Sequence, residues 1–212
     1  MVELKDVVLL ALGWLSGVLS PIVVDEIRRR KEAESVIAAM KGEINEAAYL
    51  LALAAYNVAM HLGAVDRSFV TWVKNAVVLY GGTEPTKNIL ASLDIKLGFT
   101  DEQLAQIASS EAARFSQAIA LIRFAVPFVD ARVPNWHSVP ASIRLDLQAV
   151  RIDIRLLDDL VDQSRIYFNL TFSRGENFDY ASVVNNLRGI YEQYLKRCRI
   201  TADRMHRLHT VL

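Results

Sequence analysis

"VVLLALGWLSGVLSPIVVDEIRRRK", residues 7–31, sets the architecture of the chain. From Val7 to Val24 there is no charge, and Ser16 and Ser20 are the only hydroxyl side chains. As a helix at about 1.5 Å per residue the run reaches roughly 27 Å, close to the ~30 Å hydrocarbon thickness of a bilayer. Pro21 falls in its last turn, where a bend near the surface is tolerated. A cleaved signal peptide needs a basic start, and this chain begins "MVELKD", with two acids and one base. A helix buried in a soluble core carries a polar stripe, and this run has none. The run therefore reads as a retained membrane-spanning helix.

The bases follow the run, at Arg28, Arg29, Arg30 and Lys31. Basic residues flank the cytoplasmic end of a span. The expected division is an N-terminal tail and transmembrane helix, 1–24, and a cytoplasmic domain, 25–212. The chain is expected in the plasma (inner) membrane as a single-pass protein, N-terminus outside. The Asn169-Leu170-Thr171 sequon would then lie on the side where glycosylation does not occur. Gly13 and Gly17 stand four apart, a spacing that lets two spans approach closely in lipid.

The chain has 212 residues, room for one domain with a real core. Hydrophobic residues make up 52% of it while Lys+Arg and Asp+Glu balance at 24 each, so no whole-chain charge argues for nucleic acid. The single cysteine, Cys198, rules out an intrachain disulfide. Nine glycines and five prolines are few for this length and favour helix over sheet.

Helical periodicity runs through most of the chain beyond Lys31. Ile37, Met40, Ile44, Ala47, Leu51, Ala54 and Val58 repeat at steps of three and four, and Gly63 stops the helix. A shorter helix over 66–80 ends at Gly81-Gly82. "TEPTKNILASLDIKLG" gives another short helix. Thr100 and Gln103 form a capping box for a long helix through Leu104, Ala108, Phe115, Ile119, Ile122, Val126 and Val129, which Pro127 kinks or begins to end. The proline-bracketed loop "VPNWHSVP", 133–140, leads into a helix from about Pro140 to Phe172. Its stripe is Ile143, Leu147, Val150, Ile154, Leu157, Val161 and Phe168, widened by Leu145, Ile152, Leu156 and Leu160. The last helix starts near Asp179 with Tyr180, Val184, Leu187, Tyr191, Tyr194, Cys198, Met205 and Leu208. No stretch alternates strongly enough to demand a strand. The predicted fold is all-α: one transmembrane helix followed by an antiparallel bundle of four long helices with coiled-coil-like stripes.

Chemistry is sparse. No Glu-x-x-His pair exists for a di-iron bundle; Asp203-x-x-His206 is the nearest, and it occurs once. Asp158, Asp159 and Asp162 sit beside Arg155 and Arg165, which reads as a salt-linked face. His61 extends the first bundle stripe, and Cys198 lies on the last one, as buried residues do. There is no glycine-rich phosphate loop and no nucleophile elbow. No cofactor or metal is implied. Trp136 and His137 make the proline-bracketed loop a candidate binding surface. The basic segment from Arg188 to His209 offers an electrostatic footprint for RNA or anionic lipid, against a plain solvated basic face.

One motif stands in that segment. Arg204 to His209 is an arginine, four residues, then a histidine; Arg199 to His206 has six between. This resembles the motif of the HEPN ribonuclease-like domains, small helical bundles that often dimerise to pair two such motifs. The likeness covers six residues, and Met205 stands where the family has a polar residue. It implies Arg204 and His209 as the pair acting on an RNA phosphodiester. The layout as a whole resembles small bacterial and phage single-pass membrane proteins.

The expected function is a non-enzymatic interaction or assembly module on the cytoplasmic face. A membrane-tethered RNA-acting effector and an oligomeric pore-forming effector are the alternatives. The implied partners are the lipid bilayer, a second copy through the span and a docked protein; nucleic acid enters only with the RNA-acting alternative.

Overall fold

The computed structural model describes residues 4–81, 84–114, 119–132, 141–172 and 179–212, with side chains except at 4–16, 18–22, 114, 132 and 142. Among the described residues the chain is all-α, with seven helices and no strand: α1 Leu4–Leu62, α2 Arg67–Tyr80, α3 Glu84–Leu97, α4 Asp101–Arg114, α5 Pro127–Arg132, α6 Ala141–Leu170 and α7 Tyr180–Val211. They divide into two compact units, 1–40 and 41–212.

The first unit is helical from Leu4 onward. From Val23 its side chains are mostly exposed, Val24 and Ile27 among them. The basic cluster is stabilised along the helix by i,i+4 pairs, Arg28 to Glu32 at 3.0 Å and Arg30 to Glu26 at 2.9 Å. Among the described residues no helix is long and apolar enough to cross a membrane. The run expected to do so, 7–24, lies almost wholly on residues whose side chains fall outside the described ones.

The second unit is a helical bundle. The stripe of α1 is buried as expected, with Ile44, Ala47, Leu51, Ala54 and Val58 all in the core. Gly63 ends α1 at φ +68°, where a Cβ would also come within 3.4 Å of Ala112 on α4. The Asp66 carboxylate caps α2, accepting from the Phe69 N–H at 2.7 Å. That hydrogen bond, with one from the Ser68 hydroxyl, holds the Asp66 pKa below the usual carboxylate range. The capping box forms as read: the Thr100 N–H donates to Gln103 Oε1 at 2.9 Å, and the Gln103 N–H to Thr100 Oγ1 at 3.3 Å. Arg67 ties α2 to the turn between α3 and α4 through Asp101 at 2.9 Å and the carbonyls of Leu97 (2.8 Å) and Phe99.

The long helix expected from Thr100 past Val129 is two helices, with a non-helical piece, 119–126, ahead of the second. The helix ends at Arg114, residues 119–126 are not helical, and α5 begins at Pro127. Three side chains distant in sequence explain the change. Tyr191 and Tyr194 on α7 donate their hydroxyls to the carbonyls of Ile119 (2.8 Å) and Ile122 (2.7 Å). Glu43 on α1 accepts from the N–H groups of Phe128 and Val129, both at 2.8 Å, and so caps α5. Pro127, with no N–H to lose, is suited to the first position of that helix. The bundle therefore has long helices in α1, α6 and α7, one fewer than expected.

The helices α6 and α7 pack antiparallel. Asp153 meets Arg197 and Arg204, whereas Leu160 and Gln163 share a groove with Gln193. Leu147, Val150, Ile154, Leu157, Leu160 and Val161 of α6 and Leu187, Tyr191, Tyr194, Cys198, Met205 and Leu208 of α7 are buried. The stripes are narrower than read. On α6 Leu145, Ile152 and Leu156 face outward, and Phe168 is partly exposed. On α7 Tyr180 and Val184 are exposed, and Val183 and Ile190 take the inward places. A helix in a small bundle buries one face, and the residues half a turn away have no layer to bury against.

Candidate functional site

The polar residues of α7 are organised by one acid. Asp153 lies on α6 among Val150, Ile154 and Leu157, and its side chain is 5% exposed. Arg197 and Arg204 stand seven apart on α7, two turns along one face. Arg197 Nη1 donates to Asp153 Oδ1 at 3.0 Å and Arg204 Nη1 to Oδ2 at 2.6 Å. A carboxylate this buried needs such partners, because an unpaired one costs several kcal/mol. Sequence reading missed Asp153. Its signal was an acid within the inward stripe of α6, opposite two arginines one heptad apart.

Two further arginines of the basic segment are engaged. Arg199 lies over the rings of Trp72 (5.5 Å) and Phe69 (5.9 Å), and the Trp72 indole N–H donates to Asp203 at 2.7 Å. Arg188 pairs with Glu192 at 3.3 Å. Lys196 and Arg207 remain exposed. Of the motif pair, Arg204 is thus held in the Asp153 node and His209 is half-buried near the end of α7. His206 is half-buried too, and burial lowers its pKa, opposed by Asp203 and aided by His209. Burial pushes the Cys198 thiol well up, away from nucleophilic thiolate chemistry.

Within the acid cluster on α6, Asp162 is the member held in ion pairs. Asp162 accepts from Arg123 and lies 3.8 Å from Arg165. Among the described residues no group of three His, Cys, Asp or Glu side chains is placed to hold a metal ion. His61 lies edge-on to Tyr191, 5.3 Å between ring centroids, and burial lowers its pKa. It also lines a pocket of about 490 Å³ with Tyr56, Asn57, Lys96, Glu111 and Ile122. Lys96 donates to the Tyr56 hydroxyl there, and Lys96 and Glu111 both belong to the lining.

What the surface does offer is apolar. Leu145, Ile152, Leu156 and Ile166 of α6 are 68, 57, 37 and 60% exposed, on the side of the helix turned from the core. Leu156 also walls a groove of about 390 Å³ with Gln163 of α6 and Gln193, Lys196 and Ile200 of α7. The topology cluster, Arg28, Arg29, Arg30 and Lys31, is exposed on α1. Gly17 lies on the same helix, where an added Cβ would meet nothing within 4 Å. The surroundings of Gly13, and the loop residues Trp136 and His137, lie outside the described residues. No protein-family model matches the chain, and neither a curated protein nor a solved structure matches it.

Proposed function

We propose that the chain is a single-pass membrane protein whose helical bundle works on the cytoplasmic face by contact, not by catalysis. The observation that carries this reading is the outward apolar row of α6. Four large aliphatic side chains left in solvent on one helix face are costly for a soluble domain and are a usual mark of an interaction surface. Support for the membrane comes from the uncharged run 7–24 and the bases directly behind it.

The RNA-acting alternative depends on Arg204 and His209. Arg204 already spends its guanidinium on Asp153 at 2.6 Å, and opening that pair would strand a buried carboxylate. The test is direct. Full-length protein, reconstituted in lipid, is incubated with single-stranded and structured RNA beside the Arg204→Ala, His209→Ala double variant. The proposal expects intact RNA with both. Cleavage by the parent that disappears in the variant would establish the ribonuclease-like reading instead.

A further inference from the structure

The pocket beside His61 opens between five pieces of the chain. Its lining comes from α1, from Lys96 on α3, from Ile107 and Glu111 on α4, from the non-helical residues 119–122 and from Tyr194 on α7. All of these belong to the second compact unit. The volume, about 490 Å³, falls in the roughly 300–1,000 Å³ range of pockets that hold small organic molecules. The walls are mainly apolar: Val58 and Met60 of α1, Ile107 of α4, and Ile119, Leu121 and Ile122 of the non-helical piece. That piece is fixed in place by the Tyr191 and Tyr194 hydroxyls on the carbonyls of Ile119 (2.8 Å) and Ile122 (2.7 Å).

In such a pocket a few polar groups decide what is taken. Lys96 is half-buried, and its ammonium donates to the Tyr56 hydroxyl, a neutral acceptor. Among the described residues that is its one hydrogen-bond partner. An ammonium has three N–H donors, so two are left for an occupant. The Tyr56 hydroxyl accepts from Lys96 and keeps its own proton to donate. Two adjacent donors, one of them charged, match the two oxygens of a carboxylate. The remaining groups narrow the choice. Glu111, the acid of the lining, already has an interaction of its own. Its negative charge in the same lining disfavours a dianion such as a phosphate monoester. His61, its pKa lowered by burial, adds no positive charge at neutral pH to offset a second negative one.

We propose that this pocket binds an apolar small molecule bearing a single carboxylate. The apolar body lies against Val58, Met60, Ile107 and Ile122, and the carboxylate takes one hydrogen bond from Lys96 and one from Tyr56. This goes beyond the contact reading and does not depend on it, because none of the outward residues of α6 lines the pocket.

Equilibrium dialysis of the full-length protein in lipid vesicles tests it, with empty vesicles as the blank. The probes share one apolar body and differ in charge: naphthalene-2-carboxylate, 2-naphthylmethanol and 2-naphthylmethylamine. The acid should bind on the order of tenfold more tightly than the alcohol or the amine, the worth of one charge-assisted hydrogen bond. It should also slow amide exchange over 119–122. Lys96→Met should bring the acid down to the affinity of the alcohol and leave the alcohol unchanged, with helical content intact by circular dichroism. Ala120→Trp, at an exposed position of the lining, should weaken acid and alcohol alike. Four results would overturn the inference: no binding of the acid, equal binding of acid and alcohol, tighter binding of the amine, or acid binding that survives Lys96→Met. Dialysis retains the protein whether or not it is held in lipid, so failure of the membrane reading leaves this test intact.

Discussion

Asp153 shows how far a single side chain organises the surface that looked functional. Its two oxygens take Arg197 and Arg204, so two of the bases that made the end of α7 look like an RNA footprint serve packing. Replacing it by alanine strands two arginines that are partly exposed and can rehydrate, so the cost falls below that of a fully buried pair. About 2 kcal/mol is expected, read as a lower midpoint in chemical denaturation. Asp158 has the opposite character. Burial, with Asp162 and Asp159 adding to it against the pull of Arg123, raises its pKa, so the fold favours the protonated form and that contribution is lost as pH rises. Asp158→Asn should therefore melt slightly higher than the parent at pH 7, on the order of 1 °C, and lose its advantage as pH falls into the carboxylate range. His61 and His206, whose pKa values burial depresses, act in the window above that. Their stabilisation is fully present above the ordinary histidine value of 6.5 and is lost as pH falls through their lowered values. A melting temperature flat from pH 8 to 7 and falling toward about pH 5 is expected, with a shallower fall in His206→Gln.

At the scale of the element, the segment 119–126 is the instructive one. Its apolar residues at steps of three and four read as helix, and Pro127, at its far end, is the one local signal against that reading. The helix is undone from outside, by two tyrosine hydroxyls on α7 and a carboxylate on α1. Tyr191→Phe with Tyr194→Phe should cost about 1 kcal/mol per lost hydrogen bond and increase amide exchange over 119–126. Unchanged exchange would mean that the hydroxyls do not hold the segment. Where the signals were local the elements were legible: the stop at Gly63, the box of Thr100 and Gln103, and the helix start near Asp179, which caps it, were each readable from a few residues. The width of the α6 stripe was not, because Leu145 and Leu147 look alike until the neighbouring helices fix which side is inside.

For the whole molecule, the all-α class followed from composition and periodicity, and the candidate surface followed only from burial. The motif of Arg204 and His209 was visible in the sequence while its acid partner, 51 residues before Arg204, was not. The apolar run 7–24 carries its own expectation. If Gly13 and Gly17 let two anchors pack, isoleucine at both should reduce dimer in membranes several-fold while leaving the bundle folded, measured by cross-linking beside circular dichroism. The central claim, that a retained apolar helix holds this bundle at a bilayer, is most directly tested by alkaline carbonate extraction of membranes containing the full-length protein. The protein should remain with the lipid, and a Leu12→Asp, Leu15→Asp variant should be released. Release of the unaltered protein into the supernatant would contradict the account.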